Sequence, residues 1–298
     1  MNVVTAIKRS CNTWFYQAGL DTGAGPITDM AIRLGFGERT GIPLAAEGAG
    51  FVPTDSWMQQ HQGHRMLSGD IANLSIGQGR TLVTPLQAVQ AMCAVANREN
   101  MPQARLVKQV QDMNDHVLQV FPMATRRKVD LLDTARDPVV KGMIAVVNGD
   151  NGTGHAAALD EKYRVQLAGK TGTAQWKPAE NRHLAWFTGF LPANDPTYAY
   201  AVVYEGQPNE EISGGKKAAP IVHEVFDNYF KNAPPDEPVL MLAQSKDAPK
   251  AIPVTEEDAA TDRASRRAQP VESIPITEAP PPPPSNGVGG FFRRLFGR

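Results

Sequence analysis

The most informative segment of the sequence is Ala168-Gly169-Lys170-Thr171-Gly172-Thr173-Ala174-Gln175. Its Lys-Thr-Gly-Thr string is rarer than a Ser-x-Asn triplet by a factor on the order of a hundred at average composition. Val165 and Leu167 precede the string, and together they predict one β-strand. The residues alone leave two purely structural explanations open: Lys170 as an exposed strand lysine, and Gly172 as a bulge approached by another backbone.

The segments that follow predict an antiparallel sheet. Residues 184–190 and 198–204 have strand composition, and a turn cluster at 192–196 (Pro-Ala-Asn-Asp-Pro) joins them. A last helix starts at Ala219-Pro220, with apolar residues spaced for one helical face. Because that face must pack on the sheet, we predict an α+β fold: an antiparallel sheet flanked by helices.

The first half of the chain carries helix and hairpin signals. Apolar residues recur at helical spacing from Val3 onward, which predicts one helix until Gly19. Thr84-Pro85 and Asp137-Pro138 each place a capping residue before a proline, which predicts two helix starts. Valine and leucine alternate within 104–121 around a polar turn, which predicts a β-hairpin.

Composition excludes several classes of function. The 298 residues include 30 Lys+Arg and 31 Asp+Glu, and the net charge of -1 argues against a nucleic-acid binder built on bulk positive potential. Cys11 and Cys93 are too few for a disulfide framework or a cysteine-based zinc site. The chain shows no apolar run of about 18 residues and no signal peptide, so we expect no membrane span and no export signal in it.

The chain changes character near Asn232. Residues 231–298 hold twelve of the 24 prolines, and such a segment buries too little apolar surface to offset its ordering entropy. We therefore predict a folded domain over 1–232 and a disordered, Pro-rich tail over 233–298. The tail's last eight residues, from Phe291 to Arg298, combine three Phe, one Leu and three Arg; docking on an anionic membrane or a partner and a purely solubilising end are both open.

A second motif, Ser10-Cys11-Asn12, is weak alone, because a Ser-x-Asn triplet is expected about once by chance in a chain of this length. Other segments follow it in order: 75–79 (Ser-Ile-Gly-Gln-Gly), 84–87 (Thr-Pro-Leu-Gln), 169–175 and 186–190 (Trp-Phe-Thr-Gly-Phe). Together they resemble the transpeptidase domain of class B penicillin-binding proteins over roughly residues 1–230. The Ala-Trp-Phe string after His183 is closer to the cell-elongation type.

The resemblance implies a serine β-lactamase/penicillin-binding fold and an acyl transfer. A serine attacks an acyl-D-Ala-D-Ala peptide to give an acyl-enzyme, and an amine then takes the acyl group, which cross-links peptidoglycan. Three residues match catalytic positions: Ser10 relays a proton toward the departing amine, Asn12 hydrogen-bonds the substrate backbone, and Lys170 places positive charge near the substrate's terminal carboxylate.

The same resemblance implies substrate-binding roles along the predicted strand. The Thr171 and Thr173 hydroxyls would bind the terminal carboxylate, and the Thr173 N–H would form half of an oxyanion hole. Gly172 would let the substrate strand lie close, since a side chain there would block it.

The family's nucleophile lies in a Ser-x-x-Lys helix upstream of the Ser-x-Asn motif, and this chain begins nine residues before Ser10. Thr5-Ala6-Ile7-Lys8 has a threonine in the serine's place and lies too close to Ser10. Ser213-Gly214-Gly215-Lys216 comes in the wrong order, and its paired glycines favour a loop over a helix. We therefore expect a domain incomplete at its N-terminus, with no nucleophile, and no acyl-enzyme from this chain alone.

Two alternatives stay open. A serine β-lactamase belongs to the same superfamily, but a class A enzyme needs a Glu-x-x-Leu-Asn segment, and none lies between Ser10 and Lys170. A non-catalytic module that binds muropeptide or a partner is the second alternative.

No cofactor and no metal are expected. His61 and His64 have the spacing of a ligand pair, but no third ligand accompanies them, and residues 148–154 (Asn-Gly-Asp-Asn-Gly-Thr-Gly) are predicted to be a turn. The resemblance implies peptidoglycan stem peptides and β-lactams as ligands, and a glycosyltransferase and other cell-elongation proteins as candidate partners. It places the intact protein on the outer, periplasmic face of the cytoplasmic membrane.

Overall fold

The computed structural model describes residues 1–98, 100–234, 236–244 and 252, and it confirms the predicted α+β fold class. Within these residues the helices are α1 (Val3–Arg9), α2 (Asn12–Thr22), α3 (Ala24–Arg33), α4 (Asp55–Gln62), α5 (Ser68–Ser75), α6 (Pro85–Ala96), α7 (Asp133–Asn148), α8 (Ala219–Lys231) and α9 (Pro238–Gln244). The strands are β1 (Asn100–Pro102), β2 (Gln109–Gln111), β3 (Val117–Val120), β4 (Thr125–Lys128), β5 (Ala168–Lys177), β6 (Arg182–Leu191) and β7 (Tyr198–Glu205).

The central sheet is antiparallel, with the strand order β5-β6-β7. Lys170 lies opposite Thr188 and Gly172 lies opposite Trp186. Within the described residues β5 pairs only with β6, so its second edge lies open along the Lys-Thr-Gly string. The predicted strands at 184–190 and 198–204 and the helix at Ala219-Pro220 are confirmed.

The core lies where helices cover this sheet. Helix α7 packs against α1 and β5, and α6 packs against β6 and β7. Phe187 is fully buried within the hydrophobic core that these helices and strands form. A Cβ added at Gly154 or Gly169 would lie 2.8 or 2.6 Å from its ring, so both backbones contact the ring directly. The strand that carries Lys170 therefore rests on a tightly packed support.

Two predicted local motifs are confirmed. At the start of α6 the Thr84 hydroxyl accepts from the Gln87 N–H, and the Gln87 side chain accepts from the Thr84 N–H, which forms a capping box. In the hairpin of β2 and β3 the Asp112 carboxylate accepts from the backbone N–H groups of Asn114 and His116. These short-range signals were sufficient because each motif is satisfied by neighbours in sequence.

The single helix predicted from Val3 to Gly19 is wrong, because the chain breaks at Ser10. Helix α1 ends in a Schellman motif, in which the Ser10 N–H donates to the Ile7 carbonyl (3.1 Å) and the Cys11 N–H to the Ala6 carbonyl (3.0 Å). Ser10 itself has φ 51° and ψ 49°. This left-handed conformation costs a non-glycine residue about 1 kcal/mol, and the two hydrogen bonds offset it.

The predicted start of α7 is also corrected. We predicted that α7 begins at the Asp137-Pro138 pair, whereas it begins at Asp133 and carries the proline inside. The buried guanidinium of Arg136 accounts for the additional turn, since its Nε and Nη2 donate to carbonyls at the C-terminal end of α6, at 2.6 and 3.2 Å. A tertiary contact thus overrides the local start signal.

The segment predicted as a disordered tail begins instead with α9, a helix held against the folded domain. The prediction of disorder is therefore corrected for residues 236–244. Glu237 is buried, and its carboxylate accepts hydrogen bonds from the hydroxyls of Tyr198 (3.1 Å) and Tyr229 (2.9 Å). These contacts hold the start of α9 against β7 and α8. The rest of the predicted tail, including its end from Phe291 to Arg298, lies outside the described residues apart from Ala233, Pro234 and Ile252.

Candidate active site

Ser10 and Lys170, 160 residues apart in sequence, are in direct contact. The Lys170 ammonium donates to the Ser10 Oγ and to the Thr171 carbonyl, the latter at 2.7 Å. The left-handed turn at Ser10 is what directs its side chain out of the helical register of α1 and toward β5.

Burial changes the acid–base properties of Lys170. In the part of the chain that the structure describes, Lys170 forms no ion pair that would offset its desolvation. Burial therefore lowers the pKa of the Lys170 ammonium from 10.5 to about 8. An amine with this pKa both holds and releases a proton near neutral pH, in contact with a serine hydroxyl.

The open edge of β5 presents backbone groups of Thr171 and Thr173. The Thr171 carbonyl accepts from Lys170, and the Thr173 carbonyl accepts from the Gln78 side-chain amide at 3.3 Å. In an antiparallel ladder the N–H and C=O of one residue point to the same side. The Thr173 N–H therefore also faces away from β6, toward the open edge. The Thr173 residue is exposed, whereas Thr171 is only 9% exposed.

Packing inside the described chain does not require glycine at position 172. A Cβ there would meet only the Trp186 Cβ, at 3.4 Å, which is an ordinary contact. The neighbouring Gly214 is different, because its Cβ would lie 2.2 Å from the Trp186 carbonyl oxygen and 2.8 Å from that of Gly172. The segment at Gly214 thus lies directly on the strand.

Asn12 lies beside this group without joining it. It is the first residue of α2, two positions after Ser10, and it is exposed. Among the described residues no side chain hydrogen-bonds its amide, which leaves both the amide donors and the carbonyl acceptor free for a ligand. The structure therefore brings Ser10, Lys170 and Thr171 into contact and leaves Asn12 at the rim.

Sequence reasoning missed two residues of this site. Gln78 belongs to the Ser-Ile-Gly-Gln-Gly segment that carries the resemblance, yet no role was assigned to it. Thr153, in the glycine-rich turn, has its Oγ1 2.8 Å from the Oγ1 of Thr171. The signal for Thr153 was its place between Gly152 and Gly154, a pattern that we interpreted only as a turn.

The two segments rejected as nucleophile motifs have structural roles. Thr5 and Lys8 lie inside α1. The other segment forms a π-helical turn, Gly214–Ala218, and not the loop that we predicted. Ser213 caps it, since its hydroxyl accepts from the Lys216 N–H at 3.3 Å. The hydrogen bonds of this turn stabilise a helical conformation, which the paired glycines alone do not favour.

Two further findings concern ligands and membranes. In the ranges given above, no group of three or more His, Cys, Asp or Glu side chains is arranged to hold a metal ion. His61 instead stacks on Trp57, with ring centroids 4.6 Å apart. Nor does any described helix combine the length and apolarity needed to cross a bilayer.

A Ser-x-Asn serine in contact with the lysine of a Lys-Thr-Gly strand is typical of penicillin-binding proteins and serine β-lactamases. A family model described as the penicillin-binding protein transpeptidase domain matches residues 1–227. The chain belongs to this family, which confirms the resemblance stated from the sequence.

Several of the relatives of this chain are named MrdA or PBP2. The peptidoglycan D,D-transpeptidase MrdA of Haemophilus influenzae is 32% identical over 248 residues, which cover 77% of this chain and 36% of that protein. The Pseudomonas aeruginosa PBP2 structure in complex with WCK 5153 has a TM-score of 0.61 at 29% identity, covering 77% of this chain and 47% of that one. Helicobacter pylori PBP2 in complex with MreC has a TM-score of 0.61 at 28% identity, covering 78% and 40%. The chain thus spans little more than a third of the length of the Haemophilus influenzae MrdA.

Proposed function

We propose that this chain is the C-terminal part of the transpeptidase domain of a cell-elongation D,D-transpeptidase, which cross-links acyl-D-Ala-D-Ala stem peptides of peptidoglycan. One observation carries the proposal: the contact of Lys170 with Ser10 beside the open edge of β5. Such an edge accepts an extended peptide as an additional strand, which places the peptide's scissile bond next to these two groups.

Each residue of the site then has a chemical task. The substrate's terminal carboxylate lies near the Lys170 ammonium and the hydroxyls of Thr171 and Thr173. The Thr173 N–H, which faces the open edge, stabilises the oxyanion that forms when the carbonyl is attacked. Asn12 donates to the substrate's backbone carbonyl. A threonine hydroxyl can make more than one hydrogen bond, so the Thr171 hydroxyl can contact Thr153 and still bind the substrate's carboxylate.

Proton transfer runs through Ser10. When the C–N bond of the D-Ala-D-Ala link breaks, the departing amine takes a proton from the Ser10 hydroxyl. Lys170, whose pKa of about 8 lies near neutrality, returns a proton to Ser10. The attacking serine gives its own proton to a base outside this chain. When the acceptor amine takes the acyl group, it loses a proton through Ser10 to Lys170, the ester bond to the attacking serine breaks, and that serine recovers its proton.

The attacking serine is proposed to come from sequence outside this chain, which covers 36% of the Haemophilus MrdA. On this proposal the 298-residue chain binds the substrate without forming an acyl-enzyme. The intact protein is proposed to lie on the periplasmic face of the cytoplasmic membrane and to work with a glycosyltransferase. An MreC-like protein is a further proposed partner, because Helicobacter pylori PBP2 was solved in complex with MreC.

The test labels source cells with fluorescent penicillin and precipitates the protein with an antibody against residues 233–298. We expect a stably labelled band well above 32.3 kDa, the mass of this chain. Changing Lys170→Ala in the chromosomal gene abolishes labelling. Lys177→Ala is the matched control, since Lys177 lies at the far end of the same strand, beside Glu180, and labelling persists.

Other results contradict the proposal. Rapid loss of the label identifies a β-lactamase-like hydrolase. An unlabelled band at 32.3 kDa identifies a binding module instead. Equal labelling of the Lys170→Ala and Lys177→Ala proteins removes the assigned site even if the family activity is present.

A further inference from the structure

Thr153 contacts two elements of the candidate site at once. Its hydroxyl oxygen lies 2.8 Å from that of Thr171 on β5. Its backbone N–H donates to the carbonyl of Lys8, in the last turn of α1, at 3.4 Å. One residue therefore joins the helix that ends at Ser10 to the strand that carries Lys170.

A third element lies against the same residue. A Cβ added at Gly215 would be 2.2 Å from the Thr153 carbonyl oxygen, so the π-helical turn that packs on the strand is in backbone contact with Thr153. Helix α1, strand β5 and this turn all meet there. Helix α1 leads into Ser10, which contacts Lys170 of β5, and the π-helical turn packs on Gly172 of the same strand.

The turn that carries Thr153 cannot shift freely. The Gly152 N–H donates to the Gly149 carbonyl (3.0 Å) and the Gly154 N–H to the Val146 carbonyl (2.9 Å). A Cβ at Gly152 would lie 2.2 Å from the Val146 oxygen, and one at Gly154 would lie 2.8 Å from the Phe187 ring. The backbone is thus pressed against α7 and the core, so the Thr153 hydroxyl is presented from a fixed position.

We propose that Thr153 is a positioning residue of this site: through its hydroxyl it fixes Thr171, and through its backbone it fixes the end of α1, so that Ser10 and Lys170 stay in contact. The part of this inference that concerns substrate binding rests on the proposed function. Thr171 is buried, and its carbonyl is a hydrogen-bond partner of the Lys170 ammonium. A change in the orientation of Thr171 therefore displaces an acceptor that holds Lys170 in place.

The experiment compares variants of the 298-residue chain. Thr153→Val removes the hydroxyl at nearly constant volume, and Thr153→Ser keeps it. Thr28→Val is the control for loss of a threonine hydroxyl, because Thr28 is buried, more so than the half-buried Thr153, and its hydroxyl bonds only to carbonyls of its own helix, α3. The first measurement is the titration of Lys170, followed by the 13Cε chemical shift of labelled lysine. The second is the affinity for a diacetyl-L-Lys-D-Ala-D-Ala peptide, measured by calorimetry.

In Thr153→Val we expect the Lys170 titration to move from about 8 toward the ordinary 10.5, because water enters between α1 and β5. Peptide affinity should fall by up to about tenfold, the upper range of the net effect of losing one hydrogen bond. Thr153→Ser and Thr28→Val should keep both properties of the parent chain. A role in stability alone would lower the unfolding temperature of Thr153→Val without moving the titration.

The inference is overturned if Thr153→Val titrates and binds as Thr28→Val does, or if Thr153→Ser behaves as Thr153→Val does. Thr153→Ala decides the question in the same way where the valine variant does not fold. A parent chain that binds no peptide contradicts the proposed function, while the Lys170 titration still decides the role of Thr153.

Discussion

Replacing Lys170 by methionine should change how the stability of this protein depends on pH. The folded chain holds Lys170 with a pKa of about 8, and the unfolded chain returns it to 10.5. Between these values the unfolded state binds more protons than the folded state, so the free energy of unfolding rises with pH across this window. This is the reverse of the behaviour of a lysine that gains a carboxylate partner on folding.

The size of the effect follows from the two pKa values. Linkage predicts that the free energy of unfolding gains about 2 kcal/mol between about pH 7 and about pH 9.5 from this one group. Lys170→Met removes the titrating amine and keeps an unbranched side chain of similar length. Tyrosines and other lysines that titrate in the same range contribute equally to both proteins, so they cancel in the comparison.

Urea unfolding followed by circular dichroism measures this difference. The parent protein should gain about 2 kcal/mol relative to Lys170→Met as the pH is raised from about 7 to about 9.5. Parallel stability curves for the two proteins would refute the reasoning, since Lys170 would then titrate alike in the folded and unfolded chains. If the free energy of unfolding of the parent instead fell relative to that of Lys170→Met as the pH rose, an anion beside the ammonium would have to hold its proton in the folded state.

Three further predictions concern packing. Phe187→Ala should cost about 4 kcal/mol in urea unfolding, because the ring is fully buried; a cost below about 1 kcal/mol would contradict the packing described. Gly214→Ala should cost about 2 kcal/mol by its clash with the Trp186 carbonyl, while Gly25→Ala, with open space around it, should be neutral or slightly stabilising; equal effects would exclude the clash. Glu237→Ala should release α9, seen as faster trypsin cleavage after Lys231 with no loss of the central sheet; unchanged cleavage would show that the tyrosine contacts are dispensable.

Much of the fold was predictable where the determining contacts are local. The capping box at Thr84, the hairpin turn at Asp112 and the strands of the central sheet follow from neighbouring residues. Where long-range contacts decide, local signals failed. Arg136 extends α7 by bonding to α6, and Glu237 holds α9 through two tyrosines from other elements. Neither partner can be identified from the local segment.

The candidate site divides in the same way. The Ser-x-Asn and Lys-Thr-Gly strings directed attention to Ser10 and Lys170, and the structure places these two in contact. The break at Ser10 was not predicted, because the apolar period of the helix continues through it and the Schellman motif uses a serine in place of the usual glycine. Thr153 was missed because its significance depends on three elements that meet only in the folded chain.

The hydrogen bonds at the open edge of β5 also bear on self-association. An unpaired strand edge is a template for any other extended chain, and exposed edges of this kind promote aggregation. Here Gln78 occupies the Thr173 carbonyl and the Lys170 ammonium occupies that of Thr171. A second strand must displace both side chains before it can pair. These two contacts therefore lower the tendency of the edge to pair with any extended chain that has no further contacts at the site, another copy of the same protein included, and removing either side chain should promote aggregation.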